Sequence, residues 1–111
     1  MKIELQMLEI PICGKILKHD FYKYDPQTDY SEINNLSYLK EDLLQIEFES
    51  LNLIIDLGWY GDISKNVGNF KIYIIQNQNW ENPIKVKSSK SQKTITKKLI
   101  EYLKELNQAC T

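Results

Sequence analysis

Leu44-Gln45-Ile46-Glu47-Phe48-Glu49, followed after a polar break at Ser50 and Asn52 by Leu53-Ile54-Ile55-Asp56-Leu57-Gly58-Trp59, decides the fold of this 111-residue chain. In the first run Leu44, Ile46 and Phe48 alternate with Gln45, Glu47 and Glu49. That period of two turns one face of a strand toward a core and the other toward water. In the second run Leu53, Ile55, Leu57 and Trp59 form the inward set, with Asp56 and Gly58 opposite, so the two runs should pair as an antiparallel hairpin. Toward the C-terminus, Gly58 to Gly68 holds three of the four glycines with Asp62, Ser64 and Asn66 between, the composition of an exposed turn. A third strand follows, with Phe70, Ile72 and Ile74 inward and Lys71, Tyr73 and Ile75 outward. Pro83 lacks an amide donor and closes that strand's loop; Ile84 to Ser88 then reads as a short fourth strand with Lys85 and Lys87 outward.

From Ser91 the period changes. Ile95, Leu99, Tyr102, Leu103 and Leu106 fall on one stripe of a helix, with Lys93, Lys97, Lys98 and Lys104 away from it, and Ser91 is placed to cap its start. The helix must bury its stripe on the sheet, because no other large apolar surface remains to receive it. Upstream of Leu44 the pattern is weaker. Ile3, Leu5 and Met7 alternate but Leu8 and Ile10 break the phase, which predicts an N-terminal strand ending in a bulge before Pro11. Residues 29–41 predict a short helix capped by Asp29 or Ser31, with Ile33, Leu36 and Tyr38 partly buried. The expected architecture is a single α+β domain over 1–111: a mainly antiparallel sheet of four or five strands packed on a C-terminal amphipathic helix.

Composition agrees with one core. The chain is 42% hydrophobic, has twelve aromatic residues and carries a formal charge of only -1, so it is not a disordered tail. No apolar run approaches the roughly 18 residues a membrane span needs, which argues against a membrane partner. Cys13 and Cys110 lie 97 positions apart, in no metal-ligand spacing, and read as reduced cytoplasmic thiols, Cys13 as a small apolar residue and Cys110 near a frayed end.

All fourteen basic residues are lysine, which removes the forked guanidinium grip on phosphate and guanine. The lysine-rich end, Lys85, Lys87, Lys90, Lys93, Lys97 and Lys98, is the best argument for a small nucleic-acid-associated or regulatory binding domain, and it would bind weakly and in a salt-dependent way. Missing arginine and missing interleaved aromatics weigh against it. The near-neutral total hides a division: residues 1–62 carry a balance of -7 and residues 63–111 one of +6. Such a dipole steers a charged partner. Enzyme chemistry has one candidate, the single histidine in His19-Asp20, with no second base, Arg clamp or phosphate loop beside it. No cofactor and no metal set is indicated.

The stretch Ile55-Asp56-Leu57-Gly58-Trp59-Tyr60-Gly61-Asp62, then Gly68, Phe70-Lys71-Ile72-Tyr73-Ile74-Ile75, Asn79-Trp80-Glu81-Asn82-Pro83-Ile84 and the C-terminal helix resembles small bacterial immunity proteins of contact-dependent growth-inhibition and other polymorphic toxin systems. The resemblance spans about 43–107. It implies a protein that binds a cognate toxin in the cytosol, commonly a nuclease with a basic cleft, and blocks its active site or substrate surface without a cofactor. Acidic residues and aromatic anchors are then the expected toxin-binding set: Asp20, Tyr22, Tyr24, Asp25, Asp29, Tyr30, Glu41, Asp42, Glu47, Glu49, Asp56 and Asp62. Gly58, Trp59 and Trp80 are expected to serve architecture, the glycine in a close turn and the indoles at the sheet's end.

Overall fold

The computed structural model describes residues 3–110. Its elements run β1 (Lys15–His19), α1 (Glu32–Tyr38), β2 (Leu44–Phe48), β3 (Leu53–Asp62), β4 (Val67–Gln76), β5 (Lys85–Ser89) and α2 (Gln92–Ala109). The strands form one sheet in the order β1-β2-β3-β4-β5, every neighbour antiparallel, and α2 packs on it. The fold is α+β. No helix among the described residues is long and apolar enough to cross a membrane.

Residues paired across antiparallel strands share a face, so the register identifies the core. One row runs Ile16, Ile46, Ile55, Ile74, Lys85; a second runs His19, Leu44, Leu57, Ile72, Lys87; a third runs Trp59, Phe70, Ser89. Onto these rows α2 lays Ile95, Leu99, Tyr102 and Leu103, and Phe21, Tyr24, Leu39 and Leu43 complete the same cluster. Ser91 caps α2 as its position predicts, its Oγ accepting from the Thr94 amide at 3.2 Å. Asp25 Oδ2 also accepts from the Gln92 amide at 3.2 Å, so two side chains serve one helix start. Ser91→Ala is therefore expected to cost only about 0.5–1 kcal/mol, measured as a shift in denaturant midpoint at unchanged slope; a loss beyond about 2 kcal/mol would show that Asp25 gives no support.

Several expectations need correcting. The stretch Gly58 to Gly68 is not a turn: β3 and β4 run through it, and only residues 63–66 reverse the chain, with Asn66 in the left-handed region at φ 53°. Its glycines serve close approach. A Cβ on Gly58 would overlap the carbonyl oxygen of Glu41, and one on Gly68 would lie 2.6 Å from the Trp59 ring. In β5 the register is opposite to that expected, because Lys85 pairs with Ile74 and Lys87 with Ile72 on the helix side. This exposed edge strand runs beside α2, so a lysine stem can lie along the helix: the Lys85 ammonium sits 5.2 Å from the Tyr102 ring centroid and 3.7 Å from Glu105.

At the other end of the sheet, the first strand is 15–19, bulged between Ile16 and Lys18, and not the segment before Pro11. Residues 3–14 stay irregular apart from an isolated bridge between Leu5 and Tyr22, while Ile3, Leu8, Ile10 and Cys13 plug the core edge one by one. In α1 the cap is Ser31, but Ile33 and Leu36 are exposed and the buried residue is Asn35. Trp59 is buried, whereas Trp80 is 47% exposed in the β4–β5 loop. The cysteines are not free: Cys13 and Cys110 form a disulfide with Cα atoms 6.1 Å apart, because the approach to β1 and the C-cap of α2 converge.

Candidate partner-binding face

Neither helix lies over the opposite face of the sheet. Its rows are Lys15, Glu47, Ile54, Ile75, then Lys18, Gln45, Asp56, Tyr73, Val86, then Gly58, Lys71, Ser88, with Tyr60 beyond. Ile75 is buried; Gln45, Glu47, Ile54, Asp56, Tyr60, Lys71 and Tyr73 are half-buried and Val86 is half-exposed, as expected of an uncovered pleated surface.

The border of this face is built by the Gly58 gap. With no side chain there, residues 40–43 lie against β3: the Trp59 amide donates to the Lys40 carbonyl at 2.7 Å and the Leu43 amide to the Leu57 carbonyl at 3.0 Å. Glu41 and Asp42 are thereby presented beside the sheet. The Tyr60 hydroxyl approaches the Glu41 carbonyl at 3.4 Å, its ring meets Tyr73 edge-on at 6.0 Å, and the Lys71 ammonium lies 5.7 Å from its centroid. Lys18 reaches Asp42 at 3.0 Å and Asp20 at 3.8 Å.

Asp56 is central. Burial raises its carboxyl above the ordinary carboxylate range, Gln45 beside it pulls the other way, and the charge of Asp42 pushes it up again. Among the described residues no cation reaches Asp56 within ion-pair distance. Burial and the nearby charges of Asp56, Tyr73, Glu41 and Asp42 push the Tyr60 hydroxyl up to about 12, so it stays a neutral donor at any physiological pH. The face is not uniformly acidic, because Lys15 stands opposite Glu47 and Lys71 lies over Tyr60. Its negative part is the border of β2 and β3 with the 40–43 segment.

The twelve residues expected from sequence divide. Glu41, Asp42, Glu47 and Asp56 belong to the open face, and Asp20 joins its margin through Lys18. Glu49 lies in a 3-10 turn after β2 and Asp62 at the hairpin tip, at opposite ends of ten-residue β3, hence about 30 Å apart. Asp62 is a turn residue: its carboxylate accepts from the Ser64 amide at 3.0 Å and hydroxyl at 2.6 Å, which holds its pKa below the ordinary value.

Tyr24 and Asp25 are interior, the first bonded through its hydroxyl to Asn35 and the second capping α2, so they are architectural. Tyr22 leans on Tyr38 with ring centroids 5.0 Å apart, and only Tyr30 and Asp29 of that group are exposed. On the open face the rings are those of half-buried Tyr60 and Tyr73 instead. Strand alternation already pointed Tyr73 outward and implies the same for Tyr60, so the usable signal was the period of β3 and β4 and not the loop composition.

His19 staples the N-terminal segment: its Nε2 bonds the Gln6 carbonyl at 2.9 Å and its Nδ1 accepts from the Phe21 amide at 3.4 Å. Of the lysine-rich end, Lys93 and Lys97 lie exposed on α2, while Lys85 and Lys98 share a hollow with Glu101 and Glu105. No family model, curated protein or solved structure matches this chain.

Proposed function

We propose that this chain is a toxin-neutralising immunity protein, which binds a cognate bacterial toxin of the nuclease kind over its active site or substrate surface and turns nothing over itself. The observation that carries this reading is the uncovered sheet face, where Asp56, with no cation partner among the described residues, lies beside the Tyr60–Tyr73 ring pair and is bordered by Glu41 and Glu47. Tyrosines on strands offer large contact area at low entropic cost, and charge around them supplies steering. The resemblance over 43–107 supports the same reading. Three strands of five residues and two of ten, at about 3.3 Å by 4.8 Å per residue, give a face of about 550 Å², against about 800 Å² per partner in a stable complex, so the 40–43 border must take part.

The resemblance implies the cytosol as the meeting place, whereas the Cys13–Cys110 disulfide favours an oxidising compartment. Trapping thiols in intact cells before lysis separates the two: a labelled pair places the protein in the reducing cytosol, a protected pair outside it.

The binding test is co-purification with the product of the adjacent gene, followed by capture rates. Glu41→Lys with Glu47→Lys is expected to slow association about tenfold at low salt, the difference shrinking as salt rises. An unchanged on-rate removes this face from the interface. Asp56→Asn separates binding from folding. The folded state holds the Asp56 proton more tightly than the unfolded chain does, so its stabilising contribution is present below the ordinary carboxylate range and lost as pH rises through the raised value. At neutral pH the charge is a cost. Asp56→Asn should thus leave stability equal or raised by up to about 0.5 kcal/mol, limited by solvent screening at this half-exposed site, while weakening capture of the partner.

A further inference from the structure

The sheet ends at β5, whose sole strand neighbour among the described residues is β4. Its five residues pair with Phe70 to Ile74 in unbroken register, and all but Ser89 are exposed. Among the described residues, no backbone group outside β4 bonds to Lys85–Ser89. A strand bonded on one side only presents a row of amides and carbonyls on the other. The opposite edge of the sheet differs: the register of β1 shifts between Ile16 and Lys18, a bulge that spoils it as a template for a further strand.

Alternation along β5 sets what the side chains of an added strand would meet. On the helix side a hollow of about 440 Å³ runs between β5 and α2, walled by Lys85 and Lys87 of the strand and by Lys98, Glu101 and Glu105 of the helix. Three ammonium groups thus stand against two carboxylates. Lys85 is held by Glu105 at 3.7 Å, while Lys87 and Lys98 are in no ion pair among the described residues. On the open-face side Val86 pairs with Tyr73 and is half-exposed, apolar surface that a neighbouring strand would cover.

We infer that the free edge of β5 is a strand-addition site for an extended acidic segment of another protein, whose backbone bonds to the edge, whose acidic side chains meet Lys87 and Lys98, and whose apolar residue covers Val86. In such a joint the main-chain bonds give affinity and the alternating side chains give specificity. A second copy of this chain does not fit. Antiparallel joining of two β5 edges keeps both helices on one side and brings the lysine rows of both chains together, and like charges opposite one another are destabilising. The lysines therefore guard the edge against self-pairing while admitting a strand of opposite charge. The site does not rest on the toxin-neutralising reading and survives its failure.

The oxidised full-length ¹⁵N-labelled protein is titrated at constant ionic strength with the capped peptide Glu-Val-Glu-Val-Glu. Three controls have the sequence Lys-Val-Lys-Val-Lys, the reordered sequence Glu-Glu-Glu-Val-Val, and the first sequence with every amide N-methylated. The first peptide is expected to move the amide peaks of Lys85–Ser89 saturably, half-way at about 0.1–1 mM, and to slow their exchange. The lysine and N-methylated peptides should leave those peaks in place, and the reordered one should bind about tenfold more weakly. Lys87→Gln should raise the half-saturating concentration about tenfold, whereas Lys93→Gln, on α2 outside the hollow, should not. The site is overturned if the first peptide leaves β5 unmoved, if the reordered or N-methylated peptide binds as well, if Lys87→Gln changes nothing, or if the free protein dimerises through β5.

Discussion

Reduction of the Cys13–Cys110 bond is expected to lower the stability of the folded protein by about 3 kcal/mol and its melting temperature by about 10–20 °C. The bond closes a loop 97 residues apart in sequence, nearly the whole chain, which puts it where loss of unfolded-state entropy is greatest. Chain-entropy arithmetic gives about 4–5 kcal/mol for such a loop; native packing and residual unfolded structure usually reduce it.

The folded side of the balance is also local. Among the described residues, 7–13 make no backbone hydrogen bond to another element, and the Gly14 amide bonds back to Pro11. Between this segment and α2 lies a hollow of about 620 Å³ lined by Met7, Leu8, Ile10 and Pro11 on one side and Ile100 and Leu103 on the other. Leu8, Ile10 and the disulfide hold the segment down. Reduction should therefore release amide protection first at Gly14 and in the last turns of α2, with β3 and β4 protected until global unfolding. Calorimetry of oxidised, reduced and Cys13→Ser/Cys110→Ser protein measures the first effect and hydrogen exchange the second. A melting temperature unchanged within about 2 °C on reduction would mean that the bond closes an already ordered loop.

Gly58→Ala should be comparably severe, about 2–4 kcal/mol, although it adds a single methyl group to a half-exposed sheet face. The added carbon would overlap the Glu41 carbonyl, a backbone atom, and cannot be relieved by a rotamer change. Moving residue 41 away strains the bonds from the Trp59 amide to Lys40 at 2.7 Å and from the Leu43 amide to Leu57 at 3.0 Å, beside core residues Leu39 and Leu43. Gly14→Ala is the control: its closest neighbours are the Phe48 ring at 2.9 Å and an Ile10 methyl at 3.0 Å, side chains that can yield, so its cost should be well under half as large. Equal denaturant midpoints for the two variants would show that the 40–43 segment is free to shift. Because that segment presents Glu41 and Asp42, Gly58→Ala should also impair partner capture where the fold survives.

The central sheet was legible in the amino-acid order because each of its signals is local. Leu44, Ile46 and Phe48, Leu53 to Trp59, and Phe70 to Ile74 carry the period of two, and Ile95 to Leu103 the helical stripe; both periods follow from backbone geometry alone. The outward position of Asp56, Glu47 and Tyr73 followed from the same alternation.

Three matters were settled only in the folded chain. Glycines 58 and 68 carry a turn-like composition, yet they lie in strands because a carbonyl and an indole from elsewhere need the space. Lys85 and Lys87 can face the helix side because β5 is an exposed edge strand, and Tyr102 and Glu105 of α2 receive the Lys85 ammonium. Asn35 meets Asn66, and Cys13 meets Cys110, through contacts between residues tens of positions apart. Periodicity reports only which side of its own strand or helix a residue occupies; which distant group arrives on that side depends on how the elements pack, and no window of sequence contains that information.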